Sequence, residues 1–207
     1  MIAEPGRLIL GRKRGNNMPN HITNKIEFYG EKESIKKVLE LIKGKEVCID
    51  FNKIIPTPDN IYQGDLGDEE RRLYGSNNWY DWNYANWGTK WNAYDSRFDE
   101  ENDTIYFDTA WASPTPVLDA LAKLCYKHNV SFSGAWADEN TGYNVGIFES
   151  DCEDDEYWFS YEYLEDASNE AYEIYVELKG ESECMGKDED GNWVVYSCDT
   201  CPNRENC

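Results

Sequence analysis

The chain has 207 residues, enough for one sizeable domain with an appendage, and carries a net charge of −21 with 20 Lys+Arg against 41 Asp+Glu. That sign argues against a protein that coats nucleic acid or an anionic membrane, because phosphate neutralisation needs a basic surface. Aromatic residues make up 14% of the chain, so a packed core is available and disorder is not expected. No apolar run approaches a membrane span, and residues 1–17 lack the apolar stretch of an export signal. A cytoplasmic chain follows as the expectation, with its seven cysteines as reduced thiols or metal ligands.

The charge is uneven. Residues 1–17 carry +3, residues 18–130 carry −6, and residues 131–207 carry −18. Such a field repels nucleic acid and speeds encounter with basic proteins.

Three units are expected in chain order: a flexible basic leader (1–17), an α+β domain (18–180) and a Cys-rich tail (181–207). The alternation of Ile26 and Phe28 predicts a strand that stops at Gly30. Ile35, Val38, Leu39 and Ile42 recur at helical spacing, so residues 31–43 read as a helix. Residues 47–55 read as a second strand closed by Pro56. A long aromatic excursion over 57–91 follows, with a charged helix start at 69–73. Residues 92–98 and 104–111 flank an acidic turn and read as a hairpin. Ser113 is the expected N-cap of a helix bearing Val117, Leu118, Leu121, Ala122 and Leu124. Residues 130–136 and 143–149 read as a second hairpin, 157–163 as a further strand, and Ser168 as the cap of a last helix ended by Gly180. This order predicts a ferredoxin-like antiparallel sheet with helices on one face, an aromatic insertion and a small tail.

Several segments carry a resemblance. Residues 18–24 (Met-Pro-Asn-His-Ile-Thr-Asn), 87–93 (Trp-Gly-Thr-Lys-Trp-Asn-Ala), 107–111 (Phe-Asp-Thr-Ala-Trp, with Pro114 after it) and 137–139 (Ala-Asp-Glu) resemble the YubB-type, or Api-like, ferredoxin-like domain over roughly residues 18–150. The resemblance implies a ferredoxin-like fold and an origin on phages, plasmids or similar mobile elements. It brings no catalytic residues.

The tail holds Cys184, Cys198, Cys201 and Cys207, with a two-residue knuckle at 198–201 and a turn at 190–192 that could fold Cys184 back towards it. Four thiolates would make a closed, structural zinc site. Cys48 and Cys125 read as core thiols. Trp87, Trp91, Trp111 and Trp136 are expected in one packed layer. Trp79, Tyr80, Trp82 and Tyr84 crowd every side of a short segment and are candidates for a partner-binding patch. The acids Glu149, Asp151, Glu153, Asp154, Asp155, Glu162, Glu165, Asp166, Glu170, Glu173 and Glu177 are the candidate surface for a basic partner.

Together these features predict a non-enzymatic mobile-element protein that binds and inhibits a host protein with a basic surface, such as a nucleic-acid-binding nuclease. An anti-CRISPR or other anti-defence inhibitor acting as a DNA mimic would work in this way. No direct contact with nucleic acid or membrane is expected. Two alternatives stand beside it. One is a metal-dependent hydrolase in which Asp95, Asp108 and Asp138 converge near the insert. The other is a single-strand nucleic-acid binder using exposed aromatics, with Arg7 to Arg14 as its basic strip.

Overall fold

A computed structural model describes residues 20–153, 156–182, 184–197 and 200. The leader 1–17, Asp154, Asp155, Cys198, Cys201 and Cys207 lie outside the described residues.

Strand β1 (His21–Gly30) is the centre of the fold. Its residues alternate, with Ile22, Asn24, Ile26 and Phe28 buried on one side and Thr23, Lys25, Glu27 and Tyr29 on the other. Helix α1 (Lys32–Ile42) returns over the first side, burying Ile35, Val38 and Ile42 as its spacing predicts. The hairpin of β2 (Tyr94–Asp99) and β3 (Thr104–Ala110) follows the insertion. Helix α5 (Thr115–Tyr126) then leads to β4 (Val130–Ala137), which lies on the other flank of β1. The β1-α1-β2-β3-α5-β4 unit, with spatial order β2-β3-β1-β4 and every pairing antiparallel, is the ferredoxin-like arrangement. Strands β5 (Gly146–Glu153) and β6 (Glu156–Tyr163) extend the sheet outward to six strands.

The helix-side layer is aromatic. Phe51, Phe107, Phe132, Phe148 and Trp136 are fully buried among Ile22, Ile26, Ile105 and Leu118. Each such side chain contributes about 1.5–3 kcal/mol by leaving water. The Trp136 and Phe148 rings stack at 6.2 Å, and Phe132 meets Phe28, Phe148 and Phe159. Two glycines leave room for this layer. A Cβ on Gly134 would stand 2.0 Å from the Lys25 carbonyl and 2.5 Å from the Phe148 ring, and one on Gly146 would stand 2.2 Å from Trp136.

The structure corrects four expectations. Residues 47–55 are not a strand. Asp50 caps a single turn, α2 (Phe51–Ile54), by accepting from the Asn52 amide, and it also accepts from the distant Asn92 side chain, whose own oxygen accepts from the Phe51 amide, so side-chain bonds displace an extended ladder. Helix α5 starts on Pro114 instead of Ser113. Ser113 is buried with its hydroxyl unpartnered, while its carbonyl accepts from Thr115. Trp87 and Trp136 are core residues, but Trp91 and Trp111 are 37% and 36% exposed, so the four do not form one layer. Finally, not all helices share a face: α6 (Asn169–Lys179) crosses the side of the sheet opposite α1 and α5, packing Ala171, Tyr172 and Tyr175 against Ala137 and Val145. Its expected cap is present, with Ser168 accepting from the Ala171 amide.

Gly134→Ala is expected to cost about 1–3 kcal/mol by forcing the Phe148 ring and the neighbouring strand apart. Chemical denaturation followed by circular dichroism reads this as a lowered midpoint with an unchanged slope.

Candidate functional site

The side of the sheet crossed by α6 is covered at one end and open over the rest. Register fixes what it displays. One row across the strands runs Arg97, Tyr106, Lys25, Ala135, Ile147, Glu162. The next runs Asp99, Thr104, Glu27, Ser133, Glu149, Ser160. A cleft of about 370 Å³ opens where this face meets α6, lined in part by Lys25, Glu27, Glu149, Glu162, Ile174 and Glu177. Four of those six are acids.

Lys25 is the cation at the centre of the cleft. Its ammonium lies 2.7 Å from Glu177 and 3.3 Å from Glu27. Partial burial opposes its charge, but the hydrogen bond and charge of Glu177, then those of Glu27, outweigh that cost and raise its pKa above 10.5. Lys179, at the far end of α6, donates to the His21 carbonyl at 2.9 Å. Burial pulls its pKa down, against the opposing charges of Asp108, Glu139 and Asp138.

Glu149, Asp151 and Glu162 lie exposed on the open face, and Glu177 reaches into its cleft. Glu170, Glu173 and Glu177 form a stripe along α6, at axial steps of about 4.5 and 6 Å, that ends at the cleft where Glu177 meets Lys25. Glu165 and Asp166 are exposed in the loop between β6 and α6. Glu153 ends β5. Among the described residues, no salt bridge neutralises Glu149, Glu162, Glu165, Asp166, Glu170 or Glu173.

Three of the aromatic candidates gather, with the Trp79, Tyr80 and Tyr84 rings meeting edge to face at 5.7 and 4.9 Å, while Trp82 packs apart from them. All four lie on α4 (Trp79–Asn86), which Asn78 caps by accepting from Asp81, and each is half-buried. Trp79 donates to the Gly64 carbonyl at 3.0 Å, Trp82 packs edge-on against Trp87 at the core, and Tyr80 meets Tyr84 while lying under Arg71 of α3 (Asp68–Tyr74). Burial pushes the Tyr84 phenol up to about 12. A second, shallower cleft of about 560 Å³ lies beside this segment, with Trp79, Trp87, Trp91, Asn52 and Asn83 among its walls.

Asp95, Asp108 and Asp138 are engaged separately. Asp108 accepts from Thr23 at 2.7 Å. Asp138 is buried and accepts from Asn20, Asn140 and Asn144, which makes it the anchor of its turn. Asp95 sits at the β2 irregularity with a positive φ of 46°. Among the described residues, no three His, Cys, Asp or Glu side chains group closely enough to hold a metal ion. Sequence reasoning missed a relay here: Tyr94 lies 2.8 Å from His21, whose other nitrogen is 3.9 Å from Glu139. Burial and three nearby carboxylates raise the Tyr94 pKa, which keeps it a phenol. No local motif joins residues 21, 94 and 139, so only the fold reveals the contact.

In the tail, β7 (Met185–Lys187) and β8 (Trp193–Val195) form the hairpin implied by the 190–192 turn, and Tyr196 donates to the Cys184 carbonyl at 2.7 Å. The hairpin thus returns the chain to Cys184 two residues before Cys198. Cys125 is buried, and Cys48 packs against the core half-buried, as their spacing suggested. No helix among the described residues is long and apolar enough to cross a membrane.

The Lys25 pair gives a pH prediction. Because its folded pKa lies above its unfolded value, its stabilisation is complete below about pH 10.4 and is lost as pH rises through the folded value. Melts of the protein and of Lys25→Met should therefore differ by a constant amount from pH 7 to 10 and converge above that.

A family model described as a ferredoxin-like domain in Api92-like proteins matches residues 90–179, from the start of the β2–β3 hairpin region to the end of α6. No curated protein and no solved structure matches the chain. The matched stretch is less than half of the chain, yet it holds both strands of the acidic edge and the helix that crosses the open face. On its strand order the chain carries a ferredoxin-like domain, and residues 90–179 of it are similar to the ferredoxin-like domain of Api92-like proteins.

Proposed function

We propose that the chain is a non-enzymatic binding protein whose open sheet face and α6 capture a basic protein and block that protein's own contact with nucleic acid. One observation carries this reading: exposed carboxylates from β5, β6 and α6 fall on one side of the sheet, and among the described residues few cations neutralise them. The Glu170, Glu173 and Glu177 stripe advances by about 4.5 and 6 Å, between one and two nucleotide rises of about 3.4 Å per step, so it supplies a row of negative charge on the scale of a phosphate strand. A nuclease with a basic channel is the class of partner that fits. An anti-CRISPR or other anti-defence inhibitor, carried by a phage or plasmid and acting in the cytoplasm, is the specific form we favour. The half-buried aromatics of α4 would supply secondary contacts at most, since each already has a partner within the domain.

Reversing Glu149, Glu162, Glu170 and Glu173 to Lys tests the surface, because none of the four sits in a salt bridge of the described residues. Capture of a partner from host lysate at low salt should be abolished while the melting curve stays cooperative. Wild-type capture should also weaken as salt passes about 0.15 M, where the screening length is about 8 Å. Undiminished capture by the fourfold variant would end the proposal.

We also propose a structural zinc held by Cys184, Cys198, Cys201 and Cys207. The return of the β7–β8 hairpin to Cys184 supports it. Elemental analysis should find one zinc per chain, and Cys184→Ser should lose it.

A further inference from the structure

Strand β6 ends the six-stranded sheet, and among the described residues no strand pairs with its outer side. Its eight residues contain no proline, glycine, lysine or arginine, the usual devices that blunt a free edge. Leu164 donates to the Val145 carbonyl, which continues the β5–β6 register by one pair. Antiparallel alternation then turns the amides and carbonyls of Tyr157, Phe159, Tyr161 and Tyr163 away from β5, towards a strand position that no described strand fills.

The two sides of that position differ in chemistry. On the open face it is bordered by Glu156, Trp158, Ser160 and Glu162, with Glu149 one strand further in. On the helix side it is bordered by tyrosines, of which Tyr161 and Tyr163 are 50% and 56% exposed. Side chains of an added strand would alternate between these two borders. We infer that β6 accepts an extended segment of a partner as a seventh strand, in which Lys or Arg alternates with apolar residues. The backbone bonds supply affinity, and the alternation supplies specificity. Charge excludes a second copy of the chain as occupant: pairing β6 with itself would bring the Glu156 and Glu162 rows together between two molecules of net charge −21.

This inference rests on the proposed capture of a basic partner, and the test separates the two. The probes are two fluorescent twelve-residue peptides of equal charge, Lys-Val repeated six times and Lys-Pro repeated six times. The second cannot complete a strand ladder. The protein should bind Lys-Val about tenfold more tightly than Lys-Pro, a difference worth one or two net hydrogen bonds. Tyr161→Pro removes one outward amide at an edge position where proline is tolerated, and it should erase that tenfold while leaving Lys-Pro binding unchanged. On the wild-type protein, hydrogen exchange at Tyr157, Phe159, Tyr161 and Tyr163 should slow with Lys-Val and not with Lys-Pro, which keeps the test decisive if the proline variant misfolds. Equal binding of both peptides without added protection overturns the strand-addition inference and leaves the electrostatic proposal standing. Binding of neither peptide overturns both. A wild-type dimer that Tyr161→Pro converts to monomer assigns the edge to a second copy and also overturns the inference.

Discussion

The structure depends on β1 being flanked on both sides by antiparallel neighbours while only one of its faces is fully covered. Burial of Ile22, Ile26 and Phe28 against α1 and α5 fixes its register, because a slip of one residue would carry Lys25 and Glu27 into the aromatic layer. That exclusion is what places charged groups on the opposite side. The charge pattern of that second face is a direct consequence of which residues the first face could not accept.

The second face would be unremarkable if a sheet of four strands ended at β4. The β5–β6 extension widens it and brings two more acidic strands, while α6 covers only the end near Ala137 and Val145. The helix therefore does two things at once. Its apolar side seals one end of the sheet through Tyr172 and Tyr175, and Glu177 enters the cleft beside Lys25. Lys25 ties α6 to β1 by a partly buried charge pair. It also leaves the remaining carboxylates of this region facing solvent, where repulsion among them favours any cation that approaches.

How much of this was legible beforehand varies by the range of the interaction that decides it. Helices α1 and α6 were readable because their apolar spacing, and the Ser168 cap, act within a few residues. The ferredoxin-like order was readable because strands, turns and helices alternate in sequence. Residues 47–55 misled because buried Ile49 and Phe51 two apart imitate a strand, whereas the bond that decides the matter comes from Asn92, some forty residues on. Trp91 and Trp111 misled for a related reason: composition says that tryptophans prefer the interior, but it does not say how many places one layer has, and Trp87, Trp136 and five phenylalanines fill it. At the candidate site, the acidic excess was visible in the sequence, but its gathering on one face was not, since that depends on the cross-strand register of β4, β5 and β6.

The free edge of β6 and the acidic face are best understood as one feature. An unpaired strand rich in tyrosine and tryptophan would ordinarily endanger a protein by inviting copies of itself. Here the same carboxylates that would draw a basic partner make self-pairing unfavourable, since two such edges meet with like charge on both strands. In the proposed strand addition, a single acidic skin would keep the edge open for foreign strands and closed to its own kind. This accounts for why the sheet can end in an aromatic strand without the lysine, proline or bulge that edges commonly need.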